Sequence, residues 1–170
     1  MNITLKDFQK ERVHELLETA AIALNNWRHY GKKQIISFTA PTGSGKTIMM
    51  AKFIEDLLRG DEESLIEAQP ESIILWLSDA PELNKQTKQK LMKYCNRVDL
   101  SLYINLDSNF RGDKLDPGKI YFLNTQKLRT DSKMTTKGDG KDYTMWEIIE
   151  NTIEEYGNHL VFPWSLRRDG

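Results

Sequence analysis

The chain is poor in cysteine and in long apolar runs. Cys95 is the one cysteine among 170 residues, so no disulfide can form within the chain and no thiolate cluster can hold a metal. Such cysteine usage is typical of a reducing, cytoplasmic compartment. No apolar run approaches the roughly 20 residues of a membrane-spanning helix, and the first residues lack the apolar segment of a secretion signal. The sequence therefore predicts a cytoplasmic protein without a membrane partner.

The chain also lacks an excess of charge of either sign. Lysine and arginine total 24 against 25 for aspartate and glutamate, which gives a net charge of −1. Without a global positive field, any contact with nucleic acid must come from a local patch. The hydrophobic fraction of 39% is ordinary for a globular protein, and the length suits one domain.

Helix and strand patterns alternate along the chain. Apolar residues at three- and four-residue spacing predict a helix over 5–30, with Thr4 as its cap and Gly31 at its end. Further helices are predicted over 46–59, 81–95 and 144–157, strands over 34–38, 72–78, 100–106, 119–125 and 159–162, and a mobile surface loop over 131–142. This alternation predicts an α/β fold, a parallel sheet with helices on both faces.

The most informative stretch is APTGSGKT, residues 40–47, which stands between a predicted buried strand and a predicted helix. It matches the pattern G-x-x-x-x-G-K-[ST], with Ala40 in place of the first glycine. In such a loop, backbone N–H groups curl around anionic oxygens and the helix N-terminus adds positive charge. The predicted phosphate-binding residues are Pro41, Thr42, Gly43, Ser44, Gly45, Lys46 and Thr47.

Two residues of this loop are the predicted catalytic groups. Lys46 would reach the β- and γ-phosphates, and the Thr47 hydroxyl would ligate Mg²⁺. The predicted ligand is a nucleoside triphosphate with magnesium. The loop by itself does not choose between ATP and GTP, nor among kinase, transporter, GTPase and helicase. A glycine turn followed by an exposed lysine is the alternative without function.

Several segments together resemble superfamily 2 helicases and translocases. APTGSGKT resembles their first motif, and LKDFQKERVHELLE resembles the upstream segment in which a glutamine, here Gln9, reads adenine. IILWLSDAPELNKQT and KIYFLNTQKL are similar to motifs Ia and Ib of the helicase-like subunit of type III restriction enzymes. The resemblance covers residues 5–130. It implies a RecA-like P-loop lobe of the DEAD/DEAH type, ATP and Mg²⁺ as cofactors, and DNA and a methyltransferase (modification) subunit as partners.

The resemblance also assigns individual side chains. It implies that residues after two predicted strands contact the DNA backbone, namely Ser78, Asn84, Gln86, Asn124, Thr125 and Gln126. From the residues alone, a helix-cap or turn role explains each of these six equally well. The amide of Gln9 can pair with N6–H and N7 of adenine, and a solvated helix residue is the alternative.

Other conspicuous residues are given structural roles. Trp76 and Trp146 stand among apolar residues and are predicted to lie in the core. The lysines of one helix are predicted to form a solvated face, with a phosphate-contacting role as the alternative; they are Lys85, Lys88, Lys90 and Lys93.

The family's Asp-Glu-Ala-His motif does not follow the last predicted strand. That strand, 159–162, is followed by PWSLRRDG, which has no adjacent Asp-Glu pair, and Pro163 would interrupt it. We therefore expect residues 1–170 to be a partial N-terminal RecA-like domain, truncated or frameshifted, with an atypical ending over 163–170. Such a lobe would bind ATP and hydrolyse it weakly or not at all. The alternatives are a non-hydrolysing ATP-binding module and another P-loop enzyme, such as a kinase.

Overall fold

A four-stranded parallel sheet with the strand order β2-β3-β1-β4 organises one part of the protein. The computed structural model describes residues 4–61, 65–128, 134–137 and 142–161. The strands are β1 (Ile73–Ser78), β2 (Tyr103–Leu106), β3 (Ile120–Asn124) and β4 (Leu160–Val161). The helices are α1 (Asp7–Tyr30), α2 (Lys46–Arg59), α3 (Pro81–Tyr94) and α4 (Met145–Tyr156), with 3-10 turns at Leu100–Leu102, Thr125–Leu128 and Gly157–His159.

The pairing of β1 with β3 sets the register of the sheet. Ile74 lies opposite Ile120 and Ser78 opposite Asn124, so the two strands end at the same edge. β2 pairs with the other side of β3, and the two residues of β4 pair with β1. The predicted parallel α/β architecture is confirmed, with these four strands somewhat shorter than their sequence patterns.

The chain divides into two compact units. One comprises Ile73–Lys88 and Ser101–Gly170 and contains the sheet. Its main hydrophobic cluster joins one face of the strands to α4 and includes Ile73, Leu75, Tyr121, Leu123, Met145 and Ile148. The alternate strand residues Ile74 and Ile120 are buried as well. Both faces of the central strands are therefore covered, as parallel strands require.

The other unit comprises Met1–Ser72 and Gln89–Leu100 and contains α1 and α2. Buried side chains at helical spacing on α1, including Val13, Leu17 and Leu24, form the apolar face that packs on α2. Gly31 ends α1 in the left-handed conformation with φ of 63°. The predicted Thr4 cap is wrong: the helix begins at Asp7, and Lys6 is its N-cap.

The predicted buried strand over 34–38 is also wrong. Residues 31–40 form no strand, and all of them are exposed or half-buried. Ile36 and Phe38 are half-buried, whereas Ile35 between them is 97% exposed. The segment has strand propensity but no ladder partner among the described residues, and strand propensity without a partner does not make a strand.

The two tryptophans differ from each other. Trp76 lies in the core as predicted, but Trp146 is 49% exposed on α4, so its predicted core position is wrong. Helical spacing put Met145, Ile148 and Thr152 on the buried face instead. Of the predicted loop 131–142, residues 134–137 form a turn, residue 142 lies in a bend, and the remainder lies outside the described residues. No helix in the described part of the chain is long and apolar enough to cross a bilayer.

Candidate functional site

The glycine loop of residues 40–47 leads directly into α2. Gly43 and Gly45 have φ of 80° and 88°, a conformation that side chains with a β-carbon rarely adopt. A hydrogen bond from Ser44 N to Pro41 O, 3.2 Å, closes the turn, and Gly45 is the N-cap of α2. Gly45, the second glycine of the motif, and Gly43, at one of its variable positions, therefore both adopt backbone conformations that favour glycine.

The loop leaves a set of donors available. Among the described residues, the backbone N–H groups of Gly45, Lys46 and Thr47 have no acceptor, while the next two N–H groups of α2 donate to the Gly45 carbonyl at 2.9 and 3.0 Å. The hydroxyl oxygen of Ser44 is buried and has no hydrogen-bond partner in the part of the chain that the structure describes. Nothing lies within 4 Å of the position that a β-carbon on Gly43 would take. Donors converging at a helix N-terminus fit the anionic oxygens of a phosphate chain.

The two predicted catalytic residues lie at the start of α2. The Lys46 ammonium is exposed and donates to Ala40 O at 2.7 Å and to Pro41 O at 3.1 Å, so it is held over the loop itself. Thr47 is half-buried in the first turn, and its hydroxyl is of the oxygen type that Mg²⁺ prefers. Lysine, threonine and the free N–H groups together fit a nucleoside triphosphate with magnesium.

Gln9 reaches the loop from α1. Its Nε2 donates to the Ser44 carbonyl at 2.7 Å, and its Oε1 accepts from Lys6 N at 3.0 Å. The residue is 8% exposed, so the alternative of a solvated helix residue is excluded. The amide still has one N–H and one lone pair for an adenine edge. The sequence predicted a contact to adenine but gave no signal for the contact to Ser44, 35 positions away.

A buried ionic cluster anchors α2 at its other end. The carboxylates of Glu55 and Asp56 are almost wholly buried. Arg97 reaches Asp56 Oδ1 with Nη2 at 2.6 Å, and its backbone N donates to Glu55 Oε1 at 2.9 Å. Lys52 reaches the same Asp56 oxygen at 2.8 Å. Burial raises the pKa of Asp56 in spite of these two cations. Sequence reasoning did not single out any of these residues.

Four of the six predicted nucleic-acid residues lie at the paired ends of β1 and β3, and the other two, Asn84 and Gln86, lie on α3. The Ser78 hydroxyl donates to Ala80 O and accepts from Ala80 N, and Asn124 Oδ1 accepts from Gln126 N at 2.8 Å. Thr125 Oγ1 lies 3.5 Å from Ser78 O. The Ser78 and Asn124 bonds are local turn bonds, whereas the Thr125 contact joins the ends of the two neighbouring strands.

Exposure separates the six predicted contacts. Ser78, Asn84 and Asn124 are buried, and Asn84 Oδ1 has no partner among the described residues. Gln86 and Gln126 are exposed, and Thr125 is half-buried. DNA contact at these positions stays a prediction, and its accessible members are Gln86, Thr125 and Gln126.

The lysines of α3 are not equivalent. Lys85, Lys90 and Lys93 are exposed as predicted, but Lys88 is half-buried, so the prediction of a solvated position is wrong for it. Lys88 Nζ donates to Tyr103 O on the edge strand β2 at 2.9 Å and to Asn105 Oδ1 at 3.3 Å. Burial lowers the pKa of this lysine. Lys88 therefore joins α3 to the edge strand β2 by hydrogen bonds.

The parallel α/β sheet and the glycine loop at the start of α2 are typical of P-loop nucleotide-binding proteins and do not by themselves distinguish helicases from the other classes. Residues 2–145 match the family model described as the type III restriction enzyme, res subunit. The chain belongs to this family, and it carries the family's helicase-like ATP-binding domain. Neither the curated proteins nor the solved structures gave a match to it.

Proposed function

We propose that the chain is the Mg-ATP-binding lobe of a DNA-dependent translocase of the type III restriction type. The observation that carries this proposal is the loop of residues 43–47. It combines two left-handed glycines, unpartnered N–H groups and a buried, unpartnered Ser44 hydroxyl at the start of α2. The first N–H groups of any helix lack an intrahelical acceptor, so these donors alone are ordinary. The support comes from their combination with two left-handed glycines and a buried Ser44 hydroxyl that has no partner among the described residues.

Each residue of the loop has a proposed role. Lys46 exchanges the carbonyls of Ala40 and Pro41 for the β- and γ-phosphate oxygens, which are stronger, charged acceptors. The Thr47 hydroxyl ligates the magnesium ion that neutralises the phosphates when it is bound. Gln9 uses its remaining N–H and lone pair for adenine, which makes ATP the preferred nucleotide.

Family membership supports the proposed partners, DNA and a methyltransferase subunit. DNA phosphates are proposed to contact Thr125 and Gln126, which follow β3, and the exposed Gln86 on α3. Such contacts carry no sequence information, so the choice of DNA sequence is proposed to lie with a methyltransferase subunit. The protein is proposed to act in the cytoplasm, where the buried thiol of Cys95 stays reduced.

Hydrolysis by this chain alone is proposed to be weak. Residues 162–170, which follow β4, contain no adjacent Asp-Glu pair, and the resemblance implies that such a pair holds magnesium and orients the attacking water. The same observation favours the second candidate, a module that holds ATP without turning it over. Another P-loop enzyme, such as a kinase, is the third, and phosphate transfer to a small acceptor would reveal it.

The proposal is tested by phosphate release from Mg-ATP with and without double-stranded DNA. We expect the wild-type chain to bind ATP and to release phosphate slowly, and we expect Lys46→Ala to lose both properties. Lys10→Ala is the matched control, because Lys10 is exposed on α1 and makes no ion pair among the described residues. Strong DNA-stimulated release would show that another carboxylate completes the site. If Lys46→Ala and Lys10→Ala bind ATP and release phosphate equally well, the loop of residues 40–47 is not the phosphate-binding site.

A further inference from the structure

The contact between Gln9 and Ser44 has a stereochemical consequence for the phosphate site. A peptide group is planar and trans, so the carbonyl of Ser44 and the N–H of Gly45 point in opposite directions. Gln9 Nε2 holds that carbonyl at 2.7 Å, on the side of α1. The N–H of Gly45 is therefore turned away from α1, and it has no acceptor within the described residues.

Gly45 is built for the close approach of Gln9. A β-carbon on Gly45 would lie 2.6 Å from Gln9 Nε2, inside van der Waals contact. The amide of Gln9 is itself fixed by a second bond, because Lys6 N donates to its Oε1 at 3.0 Å. Both ends of the amide are thus held, and the residue is buried. A group fixed in this way sets the orientation of the peptide that it binds.

We propose that Gln9 is a positioning residue for the phosphate chain, acting through the Ser44 carbonyl to aim the Gly45 N–H at a phosphate oxygen. This role rests on the proposed nucleotide site, and it is separate from reading adenine. It predicts that Gln9 contributes to the binding of a ligand that has phosphates and no base. Losing one neutral hydrogen bond of this kind weakens binding by about fivefold.

The test uses the full chain and two ligands, Mg-ATP and magnesium with inorganic triphosphate. Gln9→Glu keeps the oxygen that accepts from Lys6 N and removes the donor to Ser44. Gln9→Met removes both the donor to Ser44 and the acceptor of the Lys6 N–H, and it adds no negative charge. The matched control is Gln89→Met, because Gln89 is an exposed glutamine on α3 with no hydrogen bond to another described residue.

We expect both Gln9 variants to bind inorganic triphosphate about fivefold more weakly than the wild type, and Gln89→Met to bind it equally well. In protein labelled with 15N-glycine, the Gly45 amide resonance shifts on adding inorganic triphosphate to the wild type and shifts less in Gln9→Met. If Gln9 had only a structural role, Gln9→Met would lower the melting temperature, but the Gly45 amide resonance would shift equally in the variant and in the wild type.

Three results would overturn the inference. If the Gln9 variants bind inorganic triphosphate as well as the wild type does but bind ATP more weakly, Gln9 contacts only the adenine. A loss in Gln9→Glu without a loss in Gln9→Met would reduce the effect to charge repulsion. Failure of the wild type to bind either ligand would overturn the nucleotide site together with this inference, and that result is distinct from the other two.

Discussion

Replacing Arg97 with methionine should destabilise the unit that carries the phosphate loop. The substitution keeps an unbranched side chain and removes the guanidinium that lies 2.6 Å from Asp56 and 3.1 Å from the Gly60 carbonyl. Asp56 would keep Lys52 as its one remaining cation within 3 Å. Glu55, beside it and equally buried, would lose Arg97 Nε, which lies 3.7 Å from its Oε2, but would keep its bond from the backbone N of residue 97.

The expected loss can be worked out from the burial of the two partners. Removing one member of a buried ion pair costs about 3–5 kcal/mol. The Arg97 side chain is 40% exposed, so water compensates part of the loss, and Lys52 compensates another part. We expect the free energy of unfolding to fall by about 2 kcal/mol, between the values for buried and surface pairs.

The control is an ion pair of nearly the same length on the protein surface. Arg12 lies 2.7 Å from Glu15, and both side chains are more than half exposed. Arg12→Met should cost at most about 1 kcal/mol. Urea unfolding followed by circular dichroism measures both variants. Equal losses for Arg97→Met and Arg12→Met would refute the reasoning that burial of Asp56 sets the magnitude.

The pH dependence gives a second check on the same cluster. Burial raises the pKa of Asp56 above its unfolded value, so the folded protein holds that proton more tightly than the unfolded chain does. The contribution of this group to stability therefore falls as pH rises through its raised pKa. Without Arg97 that pKa rises further. The stability difference between wild type and Arg97→Met should be full at neutral pH and should narrow at acidic pH.

Three further predictions concern the loop, α4 and the exposed segment. Gly45→Ala should abolish Mg-ATP binding in a titration, because φ of 88° and the Gln9 amide 2.6 Å away both exclude a β-carbon; retained affinity would contradict the geometry. Hydrogen bonds from Lys137 and the Thr144 backbone lower the pKa of Glu147 to about 2, from 4.5. The stability that the Glu147 carboxylate contributes is therefore present above pH 4.5 and lost as pH falls toward 2. The melting temperature of the wild type should fall over this pH range by an amount that is missing from Glu147→Gln. Ile35→Lys should leave the melting temperature unchanged, because Ile35 is 97% exposed, and a large drop would show that residues 34–38 are covered after all.

The parts of the fold that sequence predicted well are those whose pattern and environment agree. β1 and β3 are continuous apolar runs, and each is buried along nearly its whole length between covered faces. Residues 34–38 have the same kind of pattern but no ladder partner among the described residues, so the same reasoning fails there. A strand pattern reports the propensity of a segment and not the presence of its neighbour.

The site shows the same division. The glycine loop is a local feature, so its place before a helix that begins at Lys46 could be predicted from eight consecutive residues, while the roles of Lys46 and Thr47 stay predictions. The contact from Gln9 to Ser44 spans 35 positions and depends on how α1 packs. Burial of Asn84 and exposure of Trp146 likewise depend on which side of a helix meets the core. When a helix has apolar residues on more than one side, their spacing in the sequence does not show which side faces the core.

The most direct test of the central claim is a titration of the 170-residue chain with a fluorescent ATP analogue and Mg²⁺, comparing wild type with Lys46→Ala. Lys33→Ala is the matched control, because Lys33 is an exposed lysine that precedes the loop. The account predicts saturable binding by the wild type and by Lys33→Ala, and loss of binding by Lys46→Ala. Binding that is the same in all three proteins, or absent from the wild type, would contradict it.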